Sequence, residues 1–386
     1  MQASNHPTIS TRFTLRPTQV QVDLDRLTQN YNAIQRHVGG AVVMPILKAN
    51  AYGHGLVRVG QHMQALGANV LGVAYLEEGI LLREAGVTTP ILVLGGILGS
   101  QAPLFLQHDL MGTASSVEKL EHMEAAAQAA GVTARVHLKI DTGMERIGVH
   151  YYNADSLLEA ALKCKHVQVE GIFSHFANAD AADLSSAKLQ IERFEEVLLF
   201  YEKRSLPQPL RHMANSGAIL QLPESWFDLV RPGILLYGVY PSGEVRRTLK
   251  VKPALTWSSR VVYFKVVKAG HPVSYGSTWQ SDHPVRVLTI PVGYGDGYFR
   301  SMSGKAHVLI KGRRYPVVGT ICMDQFMVNI DQDSGYNEDE ILLIGEGEGE
   351  EITVEELAEW AGTIPYEILT NINTRVPRVY LQDGKT

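Results

Sequence analysis

The sequence predicts an α/β fold in which an N-terminal (βα)8 barrel is followed by a mainly β C-terminal domain. Between about residues 20 and 240, short apolar runs alternate with amphipathic helical segments, which is typical of parallel βα units. After Pro253 the helical segments give way to successive β-rich segments. The length of 386 residues also exceeds that of one ordinary domain. We expect the barrel at residues 14–245 and the second domain at 246–386, with residues 1–13 joining the second domain.

The barrel is predicted from eight strand candidates, each an apolar or β-branched run with turn-forming residues at its ends. They are residues 42–48, 70–74, 91–94, 111–115, 134–140, 168–174, 210–214 and 227–231. Eight repeats over roughly 220 residues fit a closed TIM-like barrel better than an open doubly wound sheet. Such a barrel places its functional residues at the C-terminal ends of the strands.

Local signals predict two of the barrel helices. One has an apolar stripe with a spacing of three and four residues, formed by Leu27, Tyr31, Ile34 and Val38. The other begins at Ser115, where Glu118 completes a capping box. Both helices are therefore expected to pack one face against the barrel strands.

The second domain is predicted from short β segments and a single late helix. The segments are residues 254–267, 285–290, 307–310, 326–330, 341–344 and 378–381, with the helix at 353–360. The turn-rich sequence YPSG at 240–243 is the best candidate for the link between the domains.

Composition excludes several classes of function. The net charge of −5, without a Lys/Arg-rich block, gives no basic surface for nucleic acid. No stretch of about 18 apolar residues predicts a membrane span. Two cysteines, Cys164 and Cys322, are too few for a disulfide framework, and no His/Cys/carboxylate spacing predicts a metal site. We expect a cytoplasmic protein with reduced thiols and no metal.

A lysine stands at the end of the first predicted strand. Residues 47–55 read LKANAYGHG, so Lys48 is followed by a glycine-rich turn and should face the barrel mouth. Position alone fits an ordinary surface lysine about as well as a lysine that carries a cofactor.

Nine further motifs occur in order along the chain. They are LKIDTGMER at 138–146, SHF at 174–176, ANS at 214–216, VRPGI at 230–234, VSYG at 273–276, GYGDG at 293–297, CMD at 322–324, PYE at 365–367 and RVPR at 375–378. Together with the Lys48 segment, these motifs resemble those of the alanine racemase family over nearly the whole chain.

The resemblance implies a pyridoxal 5′-phosphate (PLP) enzyme that interconverts L-alanine and D-alanine. Lys48 would hold the cofactor, and Lys48 and Tyr275 would act as bases on opposite faces of the substrate Cα. A phenol is a weak base near neutral pH, so Tyr275 needs a cationic or hydrogen-bonding neighbour. The resemblance implies that His175 is this neighbour. A lone Tyr or His, without the flanking motifs, is more often a packed residue with a satisfied hydrogen bond.

The resemblance also assigns contacts to the cofactor and substrate. Arg231 would face the pyridine nitrogen of PLP and keep it unprotonated, because arginine does not readily give up its proton. Arg146 and the backbone of Met323 would bind the substrate carboxylate. Phosphate contacts are implied for Tyr52, Ser216, Gly233, Ile234 and Tyr366. Lys139 matches a lysine that many members carry carbamylated, while Tyr294 and Asp296 match an entrance segment that is also simply turn-rich.

In this family Tyr275 and Met323 reach the active site of the partner subunit, so the resemblance implies a homodimer with composite sites. It also implies a role in supplying D-alanine for peptidoglycan.

Three alternatives remain. A barrel-type PLP decarboxylase would normally have an acid in place of Arg231, and a broader racemase acting on serine needs few changes because one methylene discriminates weakly. A non-enzymatic PLP carrier would resemble the barrel alone.

Overall fold

The computed structural model describes residues 16–383. Within that range the chain forms two compact units, one of residues 23–254 with 381–383 and the other of residues 16–22 with 255–380. Residues 1–13, expected as partners of the second domain, lie outside the described residues. No helix in the described chain combines the length and apolar character that a membrane span requires.

The first unit contains a ring of eight parallel strands, which confirms the predicted barrel. Single bridges between Ile46 and Gly72 and between Leu92 and Met111 complete the ring where regular pairing is interrupted. A short additional strand pairs with the fifth strand. The barrel strands are Val42–Val43, Leu71–Val73, Ile91–Val93, Gly112–Ala114, Ala134–Asp141, Val167–Phe173, Leu210–His212 and Leu229–Val230, and the additional strand is Val149–His150.

The first predicted strand, 42–48, is wrong at its C-terminal end. Regular pairing covers only Val42–Val43, because Pro45 has no N–H to donate. The bridge between Ile46 and Gly72 continues the pairing with the second strand, and Lys48 then begins a helical turn. Lys48 therefore follows the strand at the C-terminal end of the barrel, rather than belonging to it.

Helices follow the strands around the barrel. The apolar stripe of the first helix is buried as predicted, and Asp23 caps that helix by accepting the N–H of Arg26 at 2.9 Å. The expected start at Ser115 is wrong by one residue, because Ser116 is the N-cap and accepts the N–H of Lys119 at 3.2 Å. The helices are Leu24–Val38, Leu56–Ala65, Leu76–Glu84, Ala102–Gln107, Val117–Ala130, Ala154–Lys163, Ser185–Lys203 and Ser216–Gln221.

The first unit extends to residue 254, past the expected boundary at 245 and past the expected YPSG link. Asn30 on the first helix holds this extension with both ends of its amide. Its Nδ2 donates to the carbonyl groups of Leu236 and Lys252 at 3.1 and 2.9 Å, and its Oδ1 accepts the N–H of Lys252 at 2.9 Å. Asn30 is buried, so losing these bonds would leave polar groups unsatisfied.

The second unit is mainly β, as predicted, and contains a ten-stranded sheet. Its strands are Gln19–Asp23, Leu255–Arg260, Tyr263–Val267, Val285–Ile290, His307–Ile310, Arg313–Val318, Phe326–Asn329, Glu340–Gly347, Glu350–Ile352 and Arg378–Leu381. Its two helices are Val354–Ala361 and Pro365–Asn371. Gln19–Asp23 pairs antiparallel with Leu255–Arg260, so residues just before the barrel contribute to this sheet.

Candidate active site

Lys48 begins a left-handed helical turn at the C-terminal end of the barrel. The next four residues, none of them glycine, have φ between 51 and 55°. This conformation costs roughly 1–2 kcal/mol per residue for an L-amino acid. The N–H of Ala51 donates to the carbonyl of Leu47 at 2.7 Å, and the Asn50 side chain accepts the N–H of Leu56 at 2.9 Å. The surrounding structure thus imposes an unfavourable backbone at the lysine.

The Lys48 side chain is solvent-accessible but lies among other cationic groups. Desolvation lowers the pKa of its amine, and the positive charges of Arg146 and Arg231 lower it further. The carboxylate of Glu78 opposes that effect. A lowered pKa leaves more of the amine unprotonated near neutral pH, which is what a nucleophile or a base requires.

Arg231 is buried and has four acceptors within hydrogen-bond distance. Its Nη1 donates to Nδ1 of His212 at 2.8 Å, and its Nη2 donates to the carbonyl groups of Ser174 and Met213 at 2.8 and 3.0 Å. Nη2 also lies 3.1 Å from Nδ1 of His175. Burial and the charge of Arg146 lower its pKa to about 9, so the guanidinium remains charged at neutral pH.

The Arg231 contacts fix the tautomers of a histidine pair. Arginine can only donate, so Nδ1 of His212 must accept, and a neutral His212 carries its proton on Nε2. That Nε2–H donates to Nδ1 of His137 at 2.8 Å. Burial, assisted by the charge of Arg231, lowers the pKa of His137 to about 3 and that of His212 well below its ordinary value. Both rings are therefore neutral at pH 7.

His175 is neutral for the same reasons. Burial and the charges of Arg231, Lys139, Arg146 and Lys48 hold its pKa well below the usual range. Because Nδ1 accepts from Arg231, the ring proton lies on Nε2. A tyrosine base needs a neighbour that is either a cation or a hydrogen-bond donor. Because His175 is neutral, it can supply only the hydrogen-bond donor.

Ser216, Gly233, Ile234 and Tyr52 form a cradle suited to an anion. The Ser216 hydroxyl accepts the N–H of Gly233 at 3.0 Å, and Ile234 begins a 3-10 turn at Gly233. A Cβ on Gly233 would overlap the Tyr52 hydroxyl, so glycine permits this close approach. Burial raises the pKa of Tyr52, which keeps its hydroxyl protonated and able to donate. Hydroxyl donors and a turn N-terminus are the groups that bind phosphate.

Arg146 lies at the end of a loop that one carboxylate organises. Asp141 accepts the backbone N–H groups of Gly143, Met144 and Arg146 at 2.8, 3.0 and 3.2 Å. The Arg146 side chain is exposed, so its planar fork is available to a carboxylate. Sequence reasoning missed this role of Asp141, although an aspartate followed by a Thr-Gly turn is a recognisable signal for such a loop.

Lys139 is buried on the strand Ala134–Asp141, which ends at Asp141. Its Nζ lies 4.9 Å from the centre of the Phe173 ring and donates to the carbonyl of Ile140 at 3.1 Å. Desolvation lowers its pKa well below the ordinary value, and the charge of Arg231 adds to that shift. A buried amine that loses its proton easily is the form that reacts with carbon dioxide.

The second unit carries the remaining sequence-predicted residues. Tyr275 lies on a turn closed by a bridge between Val273 and Trp279, and its side chain is 73% exposed. Met323 and Tyr294 are 53% and 43% exposed and share a second loop cluster, in which the N–H of Gly295 donates to the carbonyl of Met323 at 2.9 Å. Tyr366 is half-buried on the Pro365–Asn371 helix.

Asp296, matched by sequence to an entrance segment, is fully buried. Arg16 and Arg375 form ion pairs with it at 2.8 and 2.7 Å, and Oδ2 accepts the N–H of Gly293 at 2.9 Å. Its carboxylate therefore anchors the turn that presents Tyr294. Of that segment, only Tyr294 offers an exposed side chain for an entrance.

The barrel brings together Lys48, Arg146, Arg231, His175 and the anion cradle at the C-terminal ends of its strands. These groups suit an aldehyde, a phosphate and a carboxylate, and in the described residues no His, Cys and carboxylate cluster could hold a metal ion. The fold and the site define the class of barrel-type PLP-dependent enzymes.

Comparison with known proteins identifies the family. The alanine racemase N-terminal domain matches residues 22–241, and the alanine racemase C-terminal domain matches residues 254–380. A curated alanine racemase from Carboxydothermus hydrogenoformans is 45% identical over 369 residues, which cover 95% of this chain and 100% of the relative. The chain belongs to the alanine racemase family, whose members are PLP-dependent isomerases.

Solved structures agree with that assignment. The alanine racemase of D-cycloserine-producing Streptomyces lavendulae has a TM-score of 0.91 at 38% identity, covering 96% of this chain and 98% of that one. The alanine racemase of Bartonella henselae, solved with covalently bound pyridoxal phosphate, has a TM-score of 0.86 at 28% identity. That match covers 95% of this chain and 100% of the other. A fold shared with full-length racemases disfavours the decarboxylase and carrier alternatives.

Proposed function

We propose that this chain interconverts L-alanine and D-alanine with PLP, and that Lys48 and Tyr275 are its two bases. The observation that carries the proposal is the set of groups at the barrel mouth. Lys48 has a lowered pKa beside Arg146, and the cradle of Ser216, Gly233 and Tyr52 suits the cofactor phosphate. When bound, PLP attaches the substrate through its amino group and withdraws electrons from Cα.

Lys48 would remove or return the Cα proton on one face. The positive charges near it favour its unprotonated form, and its strained turn limits where the amine can point. Positioning of this kind matters because a catalytic base must lie within about 3 Å of the proton that it takes.

Tyr275 would act on the opposite face. His175 supports this role as a neutral ring whose only proton is on Nε2, because a donated hydrogen bond favours the phenolate form of a tyrosine. Arg231 fixes the orientation of that ring through Nδ1. Arg231 would therefore orient two groups, His175 and the cofactor ring.

Arg146, with the backbone N–H of Met323, would bind the substrate carboxylate. Carbamylation of Lys139 would assist, since its Nζ can form a bond to the carbon of carbon dioxide while losing a proton. The resulting anion would replace a repelling cation near Arg146. The low pKa of the buried Lys139 amine supports this modification.

We further propose a homodimer in which Tyr275 and Met323 of one chain complete the site of the other. Support comes from the exposed side chains of the Tyr263–Val267 edge strand, where Tyr263 and Val266 are 55% and 63% exposed. Apolar side chains on an edge strand favour association. Cytoplasmic location and the supply of D-alanine for peptidoglycan rest on the family resemblance alone.

The direct test is incubation of the purified holoenzyme with L-alanine in heavy water. D-Alanine should form with deuterium at Cα, because each base exchanges its proton with solvent. Serine, assayed in parallel, measures how strictly the pocket selects alanine. A protein that binds PLP but leaves both alanine enantiomers unchanged would contradict the proposal.

A further inference from the structure

The carboxylate of Glu78 bridges two neighbouring segments of the barrel mouth. Glu78 lies in the first turn of the Leu76–Glu84 helix. Its Oε2 accepts the N–H groups of Ala74 and Tyr75 at 2.8 and 3.2 Å, as in an ordinary capping box. Its Oε1 reaches across the barrel edge and accepts the N–H of Ala49 at 2.6 Å. One side chain thus joins the segment after the second strand to the lysine turn.

The Ala49 contact lies immediately after Lys48. Ala49 has φ of 53° and is the first of the four left-handed residues. A short hydrogen bond to a carboxylate is roughly twice as strong as a neutral one, so it helps to offset the cost of that backbone. Without this acceptor, the turn would lose a contact that fixes its first peptide plane and, with it, the direction of the Lys48 side chain.

Glu78 also differs in charge from the other groups that influence Lys48. Arg146 and Arg231 lower the pKa of the Lys48 amine, whereas Glu78 raises it. The same carboxylate that holds the turn therefore moderates the positive field at the lysine. Glu77, its neighbour in the sequence, is exposed and provides a matched carboxylate for comparison.

We propose that Glu78 is a positioning residue for Lys48, whose carboxylate holds the left-handed turn and thereby directs the lysine amine in proton transfer. This inference rests on the proposed two-base function. It predicts that loss of Glu78 impairs the step that uses Lys48 and leaves the step that uses Tyr275 intact. A residue that only capped the Leu76–Glu84 helix would affect both steps alike.

The test compares the holoenzyme with Glu78→Gln and with Glu77→Gln. Glutamine keeps the size of the side chain but has only one acceptor oxygen. That oxygen satisfies more N–H groups when it faces Ala74 and Tyr75, so the N–H₂ group faces Ala49 and the Ala49 N–H loses its partner. Primary deuterium isotope effects are measured with Cα-deuterated L-alanine and D-alanine. In Glu78→Gln we expect the isotope effect to rise for one enantiomer alone, with kcat lower by about 10- to 100-fold and KM little changed.

A second readout does not depend on turnover. Hydrogen exchange of the Ala49 amide in the holoenzyme should be faster by about tenfold or more in Glu78→Gln and unchanged in Glu77→Gln. Glu78→Asp serves if the glutamine variant does not fold, because it keeps the charge but is too short to bridge both segments. It should show the same pattern of exchange.

Two results would overturn the inference. One is unchanged Ala49 exchange in the variants, and the other is an equal change of the isotope effects for both enantiomers. A wild-type protein without racemase activity would instead refute the proposed function, and Ala49 exchange would still decide whether Glu78 holds the turn.

Discussion

The two units hold their candidate residues in different ways. In the barrel, Arg231 is 3% exposed and is held by contacts to the backbone and to two histidines. In the β unit, Tyr275 and Met323 are 73% and 53% exposed, although the backbone that carries them is well fixed. The hydroxyl of Thr320, for example, donates to the carbonyl of Tyr275 at 2.8 Å.

The difference indicates a division of labour. The barrel residues are held by contacts within their own unit, as a cofactor site requires. The β-unit residues have fixed positions but exposed side chains, which suits groups that act on a molecule or subunit outside their own unit. Cofactor binding should therefore depend on the barrel, and the second proton transfer on the β unit.

The largest expected effects come from replacing the two proposed bases, Lys48 and Tyr275. Lys48→Ala should reduce racemisation by at least about 10⁴-fold and also remove the covalently held cofactor. Tyr275→Phe should reduce racemisation by about 10²- to 10⁴-fold while the visible absorption of bound PLP remains. Racemisation and absorption are measured together, with Lys188→Ala as an exposed control. Loss of PLP from Tyr275→Phe would break the proposed division of labour.

A smaller effect is expected in the anion cradle. Gly233→Ala would push a methyl group against the Tyr52 hydroxyl, so the affinity for PLP should fall by about tenfold or more. Gly243→Ala is the matched control, because a Cβ at that position meets no atom within 4 Å. Both affinities can be measured by fluorescence titration of the apoenzyme. Equal affinities in the two variants would argue against Gly233 as a point of close approach.

The buried histidines predict an acid-sensitive barrel. His137 has a pKa of about 3 in the folded chain and an ordinary value near 6.5 when unfolded. Above about pH 6.5 both states are neutral. Below it only the unfolded state takes up the proton, so the free energy of unfolding should fall as the pH falls from about 6.5 towards 3. Burial also lowers the pKa of His212, so its titration changes the free energy of unfolding in the same direction.

The free energy of unfolding should fall by up to about 1.4 kcal/mol per pH unit for each buried histidine. Urea unfolding at pH 7.5 and pH 5 measures it, and His137→Gln should be less sensitive to acid than the wild type. The exposed His271 offers a control in His271→Gln. An unfolding free energy with the same pH dependence in all three proteins would contradict the neutral histidine pair.

Much of the fold could be predicted from the sequence, because the period of the apolar pattern carries that information. All eight barrel strands were predicted, whereas the Arg313–Val318 strand was missed because its charges and Pro316 are unusual for a strand. Gln19–Asp23 alternates clearly, but its partner lies more than 230 residues away. Local patterns do not reveal such distant pairing.

The site could be predicted only in part. Family motifs nominated Lys48, Arg146, Arg231 and His175, and the barrel brings these residues together. The left-handed turn after Lys48 was missed, since Ala49 and Ala51 give no signal for positive φ. Glu78, His137 and His212 were also missed, because their roles depend on contacts between separate strand ends and not on a motif of their own.

The most direct test of the proposed composite active site is subunit complementation. Inactive Lys48→Ala and Tyr275→Phe proteins are mixed, allowed to exchange subunits with PLP present, and assayed for D-alanine formation. If each site takes Lys48 from one chain and Tyr275 from the other, mixed dimers contain one intact site. Activity should then recover to about one quarter of the wild-type value for random exchange. No recovery, despite demonstrated exchange of subunits, would contradict the composite site.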